Sequence, residues 1–168
     1  MKIKLSCDIK QKIDNHETIT ADTSNIKNII EYAIKKLGDN ADLNFIDVSK
    51  VTYMESLFEG SQFNANISKW NVSNVEDMDC MFANSKFNGD ISNWDVSNVI
   101  FMQAMFYNSQ FNQDISKWNV SNIEYMNCMF TDSKFNKDIS KWNVSNVKYN
   151  KNIFGHCPIK DEYKPKFK

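Results

Sequence analysis

Residues 67–90, ISKWNVSNVEDMDCMFANSKFNGD, are followed without a gap by ISNWDVSNVIFMQAMFYNSQFNQD at 91–114, ISKWNVSNIEYMNCMFTDSKFNKD at 115–138 and ISKWNVSNVKYNKNIFGHCPIKDE at 139–162. A more divergent copy, LNFIDVSKVTYMESLFEGSQFNAN, precedes them at 43–66. A fixed period of 24 residues is the mark of an array in which each unit cannot bury its apolar face alone and must stack on its neighbours. Function is therefore expected on surfaces that several units share.

Within one unit the apolar positions are strict. In residues 115–138 they are Ile115, Trp118, Val120, Ile123, Met126, Met129, Phe130 and Phe135, and the other copies supply apolar counterparts, as in Phe58, Phe82, Phe106, Phe130 and Phe154. Trp118 and Val120 lie two apart with Lys117 and Asn119 on the other parity, the period of a short strand. Ile123, Met126, Met129 and Phe130 follow at spacings of three and four, the period of a short helix. Ser73 with Glu76, and Ser121 with Glu124, have capping-box spacing. Gly60, Asn84, Asn108, Asp132 and His156 share one register, and all four residue types tolerate positive φ, so this column is expected to be left-handed and to end each helix.

The expected fold is thus α/β: a right-handed solenoid of about five 24-residue coils, each a short parallel strand plus a short helix, with a helical N-terminal cap. Residues 1–42 are read as that cap. Alternating Ile3, Leu5, Cys7 and Ile9 predict a strand. Ile26, Ile29, Ile30, Ala33, Ile34 and Leu37 predict an amphipathic helix entered at Asp22-Thr23-Ser24 and left at Gly38. Residues 43–162 form the five-copy array and 163–168 a C-terminal tail, within a single domain. In the last copy Ile159 replaces the Phe of Phe135, and Pro158 and Pro165 end the regularity.

Composition narrows the function classes. All 20 basic residues are Lys and the net charge is −1, so the Arg forks favoured for phosphate and base-edge recognition are missing and no nucleic-acid partner is expected. The N-terminus has no apolar core of signal-peptide length, which predicts no membrane insertion and a cytoplasmic chain. Two histidines, His16 and His156, provide no base paired with a nucleophile, and no phosphate-cradling Gly loop or HExxH occurs, so no enzyme activity, catalytic residue or cofactor is expected. Cys80 and Cys128 lie two copies apart, about 10 Å at the usual strand spacing and beyond disulfide reach. Free thiols are expected at Cys7, Cys80, Cys128 and Cys157.

Ile67-Ser-Lys-Trp70-Asn-Val72 fits the opening LxxLxL of a leucine-rich repeat, but the expected Asn or Cys falls on Val75 while an Asn sits at 74. The unit W-N/D-V-S-N-V-x-x-M-x-x-M-F-x-x-S-x-F-N-x-D, with WNVSN or WDVSN four times over residues 43–162, resembles the BspA-like leucine-rich-repeat surface proteins, a bacterial lipoprotein or mycoplasma-type surface-protein repeat. The resemblance implies a binding or adhesion role at the cell surface and carries over no catalytic residues.

Two faces compete for a protein or glycan partner. One is the expected strand face: Phe45, Asp47, Lys69, Asn71, Asn93, Asp95, Lys117, Asn119, Lys141 and Asn143. It is either a recognition surface or a hydrated Asn ladder that satisfies itself. The other is the expected helix side, where Tyr53, Phe101, Tyr125 and Tyr149 share a register with Asp77 and, with Ile100 and Tyr107, form either an exposed apolar patch or an edge-to-edge cover over neighbouring coils. Such a patch would also permit self-association. Asn66, Asp90, Asp114, Asp138 and Glu162 form an acidic column. Its two readings are a calcium site and residues that hold a turn while pairing with Lys69, Lys117 and Lys141; without a D-x-D-x-D-G loop no metal is assigned.

Overall fold

The computed structural model describes residues 5–64 and 66–167. The chain starts with helix α1, Cys7–Asp14, where the alternation of Leu5, Cys7 and Ile9 predicts a strand; Ile3 lies outside the described residues. The correction has a local cause. Ser6 is an N-cap whose Oγ accepts the Ile9 N–H at 3.2 Å, and Leu5, Ile9 and Ile13, four apart, share one helical face, with Ile13 fully buried. Strand β1, Ile19–Asp22, then leads into α2, Ile26–Leu37, which buries Ile26, Ile29, Ile30 and Ala33. At its entry Asp22 Oδ1 accepts the N–H of Ser24 at 2.9 Å and of Asn25 at 3.2 Å. At its exit Gly38, at φ +92°, donates its N–H to Ile34 O, a conformation that favours glycine.

Strand β2, Ile46–Lys50, pairs parallel with β1, Ile19 opposite Ile46 and Asp22 opposite Lys50. The architecture is therefore mixed α/β. Beyond β2 the same parallel relation continues as single bridges, Tyr53 to Asp77, Asp77 to Phe101, Phe101 to Tyr125 and Tyr125 to Tyr149. Residues 24 apart thus lie side by side.

The local conformation between these bridges differs from the predicted strand plus short helix. Among the described residues no α-helix follows α2. Residues 54–61 form two consecutive four-residue turns, closed by Leu57 N–H to Met54 O at 3.2 Å and Ser61 N–H to Phe58 O at 3.1 Å. The third residue of each turn is left-handed, Ser56 at φ +53° and Gly60 at +66°, the requirement of a type II turn. Cys80 and Asn84, Ala104 and Asn108, Cys128 and Asp132, and Asn152 and His156 repeat this pair with φ between +47° and +58°. The column Gly60, Asn84, Asn108, Asp132 and His156 is left-handed as expected; the column four residues earlier is an addition. Apolar spacings of three and four fit the corners of two such turns as well as they fit a helix, and a left-handed residue every fourth position forbids the helix.

The amides that a helix would use internally go outward. The N–H groups of Met54, Ser56, Phe58 and Gly60 bond the carbonyls of Asp77, Asp79, Met81 and Ala83 at 2.8–2.9 Å, and the pattern recurs along the array. The predicted strand at Trp70–Val72 is likewise replaced by turns, Trp70 N–H to Ile67 O at 3.2 Å and Val75 N–H to Val72 O at 2.9 Å. Among the described residues this register forms a strand in the first copy alone, as β2, because β1 is there to pair with it.

Side chains of equal register stack inside. Phe58, Phe82, Phe106, Phe130 and Phe154 follow one another with ring centroids 5.4–5.8 Å apart, and Phe63, Phe87, Phe111 and Phe135 at 6.2–6.3 Å. Trp70, Trp94, Trp118 and Trp142 are all buried, and each donates its indole N–H to a carbonyl 27 residues earlier, Leu43, Ile67, Ile91 and Ile115, at 3.0–3.2 Å. Each indole thus fills the core while its one polar atom is satisfied.

Candidate functional site

The register Tyr53, Asp77, Phe101, Tyr125 and Tyr149 is the line of parallel bridges itself, so its side chains project from paired backbone and not from a helix. Phe101 and Tyr125 stack at 4.8 Å, and Tyr125 and Tyr149 at 4.6 Å with 9° between planes. The rings cover one another face to face, unlike the edge-to-edge cover that is one of the two readings of the sequence; the backbone pairing holds successive Cα atoms in register, and parallel rings follow. Their outer edges remain open: Tyr149 is 49% exposed, and Phe101 and Tyr125 are half-buried. Tyr53, 50% exposed, is separated from this stack by Asp77, whose Oδ1 accepts the Asp79 N–H at 2.8 Å.

Ile100, half-buried beside Phe101, lines a shallow groove of about 510 Å³ with Asn98, Asn122 and Glu124. Glu124 binds Lys148 at 2.8 Å at the flank of the Tyr125–Tyr149 pair, and this hydrogen bond raises the Lys148 pKa. Tyr107 is half-buried and makes no ring contact with the stack among the described residues. Of the six residues predicted on this side, the structure brings together Phe101, Tyr125 and Tyr149, with Ile100 adjacent, and leaves Tyr53 and Tyr107 apart.

On the second face Lys69, Asn71, Asp95, Lys117, Asn119, Lys141 and Asn143 are all exposed, but on turns instead of strands. Asn71, Asp95, Asn119 and Asn143 each accept with Oδ1 the backbone N–H of the Ser two residues on, at 3.1–3.2 Å, the geometry of an Asx turn. Ser73 and Ser121 donate their hydroxyls to Asn71 and Asn119 at 2.7 Å, which displaces the predicted capping boxes. Asn74, Asn98, Asn122 and Asn146 donate Nδ2 to the carbonyls of Ser49, Ser73, Ser97 and Ser121 at 2.6–2.8 Å. Most of the amide side chains here are thus committed to the fold.

The acidic column behaves in the same way. Asp90, Asp114 and Asp138 accept the N–H of Ser92, Ser116 and Ser140 at 2.9 Å, and these bonds with the Ser hydroxyls lower the three carboxyl pKa values. They form no ion pair with Lys69, Lys117 or Lys141 among the described residues, contrary to expectation, because the neighbouring serines satisfy them first; Glu162 instead pairs with Lys160 at 3.7 Å. No group of three or more ligating side chains gathers among the described residues. Lys117 and Lys141 border a groove of about 480 Å³ with Asp114, Ser116, Lys137 and Asp138.

Sequence reasoning missed a polar column beside the ring stack. Asp79 accepts the Gln103 backbone N–H at 2.6 Å and its Nε2 at 2.9 Å, Asn127 donates Nδ2 to Gln103 Oε1 at 3.0 Å, and Asn127 Oδ1 accepts the Lys151 N–H at 2.8 Å. Burial raises the Asp79 carboxyl despite the hydrogen bonds from Gln103. The signal available in the sequence was the shared register of Glu55, Asp79, Gln103, Asn127 and Lys151. His156 stands in its turn, 2.9 Å from Asp132, and all four cysteines are free. No described helix is long and apolar enough to cross a membrane.

Residues 24–130 and 85–162 match the family described as Mycoplasma protein of unknown function, DUF285. No curated protein and no solved structure matches the chain.

Proposed function

The chain belongs to the family described as Mycoplasma protein of unknown function, DUF285, and from that premise we propose that it is a non-enzymatic binding module of the BspA-like surface-repeat type, built as a right-handed leucine-rich-repeat-like solenoid. The parallel bridges at 24-residue intervals and the buried Phe and Trp columns support the solenoid. Right-handedness is the general rule for connections between parallel elements. The partner is a protein or a glycan that spans several coils.

One observation carries the recognition surface: three rings, Phe101, Tyr125 and Tyr149, are stacked on the outside and keep their edges open. Aromatic groups held rigid by their backbone lose little freedom on binding and are favoured anchors. Alanine at Phe101 and Tyr125 together should abolish capture of the partner from host-protein and glycan panels while the melting temperature stays within about 2 °C, since the rings lie outside the core. Unchanged capture with a fall of several degrees would refute the surface as an interface. The asparagine-rich face is the second candidate, and Lys69, Lys117 and Lys141 changed to Glu test it in the same assay.

An adhesin-like role at the cell surface and a cytosolic protein–protein scaffold make different demands on location. Fractionation with surface proteolysis of intact cells separates them: protection of the chain would assign the scaffold.

A further inference from the structure

Each array segment except the last passes four alternate amides to the segment after it. Met126, Cys128, Phe130 and Asp132 donate to the carbonyls of Tyr149, Lys151, Ile153 and Gly155 at 2.7–2.9 Å. In the last segment the equivalent donors are Asn150, Asn152, Phe154 and His156, and none has an acceptor among the described residues. Asn150, Asn152 and His156 are exposed and Phe154 is half-buried.

This edge differs from that of an ordinary β-sheet, which offers N–H and C=O groups in alternation. Here the carbonyls of residues 149, 151, 153 and 155 are already taken by the preceding segment, so this row presents four donors, joined by the Lys148 carbonyl, whose counterparts Glu76, Ile100 and Glu124 each accept from the segment that follows. Donors outnumber acceptors along it, so the same edge of a second copy is a poor match. The complementary carbonyl row, at residues 53–59, belongs to the first segment, where Ser56, Leu57 and Phe58 line a groove with Ile30 and Ile34 of α2. A head-to-tail copy would therefore have to reach that row beside α2.

Charge selects among the remaining partners. Residues 43–66 carry Lys50 against Asp47, Glu55 and Glu59, whereas residues 139–162 carry Lys141, Lys148, Lys151 and Lys160 against Asp161 and Glu162, with three further lysines after them. Lys151 is exposed, and its ammonium has no ion-pair partner among the described residues. We infer that the C-terminal end of the array, through the free amides of Asn150, Asn152, Phe154 and His156 and the ammonium of Lys151, binds an extended acidic peptide segment. Backbone carbonyls and carboxylates of that segment accept the amides, and charge-assisted bonds of this kind are the stronger ones.

This site adjoins the ring stack at Tyr149, whose peptide bond carries the Asn150 N–H, but uses backbone amides and not ring edges, so either can fail alone. The test uses the full chain, a fluorescein-labelled (Glu-Val)4 peptide and its (Lys-Val)4 counterpart, read by anisotropy and by ¹⁵N amide shifts. The acidic peptide should bind, the basic one should not, and the largest shifts should fall on Asn150, Asn152, Phe154 and His156. Lys151→Glu should weaken binding at least tenfold; Asn150→Pro, which removes one donor without changing charge, should weaken it several-fold, and Lys86→Glu, the same charge reversal at an exposed lysine of an earlier segment, should leave it unchanged. If Asn150→Pro does not fold, the amide shifts decide. Absence of binding, or shifts spread over the lysines with the four amides unmoved, overturns the assignment. Self-association without peptide that Lys151→Glu abolishes also overturns it, by making a second copy the occupant.

Discussion

Truncating Trp118 to Ala tests the internal columns most directly. Its indole is 4% exposed, lies parallel to that of Trp142 with centroids 6.5 Å apart, and meets Phe106 at 6.4 Å. Removing a fully buried large aromatic costs about 3–5 kcal/mol, transfer and cavity together. The indole N–H also satisfies Ile91 O at 3.1 Å, and stranding a buried acceptor falls in the range of roughly 1–3 kcal/mol. These contributions overlap, so about 4 kcal/mol is expected for Trp118→Ala. Trp118→Phe keeps most of the ring but loses the donor, for about 1–2 kcal/mol. Urea unfolding followed by the fluorescence of the remaining tryptophans measures both. A cycle with Trp142→Ala should give a coupling of about 0.5–1.5 kcal/mol, the value of a stacked pair. A loss below about 1 kcal/mol for Trp118→Ala, or zero coupling, would show that equivalent side chains do not support one another and would remove the basis for the stacked architecture.

Two further outcomes follow from particular residues. Ala104 sits at φ +50° in a turn, so Ala104→Gly should stabilise by about 0.5–1 kcal/mol and Ala104→Val should destabilise by about 1–2 kcal/mol, read as shifts of the urea midpoint; the opposite order would refute the left-handed assignment. The carboxyls of Asp90, Asp95, Asp114 and Asp138 are lowered by their Ser hydrogen bonds. Their stabilisation is therefore fully present above the unfolded value of about 3.9 and is lost as pH falls through the lower folded values. Asp79, raised by burial, acts in the opposite sense and gains on acidification. Replacing the four lowered aspartates by Asn, the residue that makes the same turn at Asn66, Asn71, Asn119 and Asn143, should flatten the fall in melting temperature below about pH 4. An equally steep fall would assign the acid sensitivity elsewhere.

Much of the candidate surface was legible from register alone. Phe101, Tyr125 and Tyr149 share a column with Asp77, and a position that admits Asp belongs outside the core. Their face-to-face stacking was not legible, because it depends on backbone bridges between segments. Tyr107 shares their chemistry but not their register, and it stands between the left-handed residues Ala104 and Asn108. The asparagines of the other face gave no hint of whether they served a ligand or the fold; their short-range bonds to serine and to the preceding segment show that most of them serve the fold.

A 24-residue period is a property of the chain written in order, and it is enough to say which side chains lie against which: Trp on Trp, Phe on Phe, Asn on Asn. It also marks Gly60, Asn84, Asn108, Asp132 and His156 as left-handed, because only a few residue types accept that conformation cheaply. It is silent on where the backbone amides go. Met, Met and Phe at spacings of three and four satisfy a helix and a pair of type II turns equally, and Ser56, Cys80, Ala104, Cys128 and Asn152 carry no common chemical sign of positive φ. Those amides reach carbonyls 23 residues away, and a bond that distant forms only once the neighbouring segment is in place.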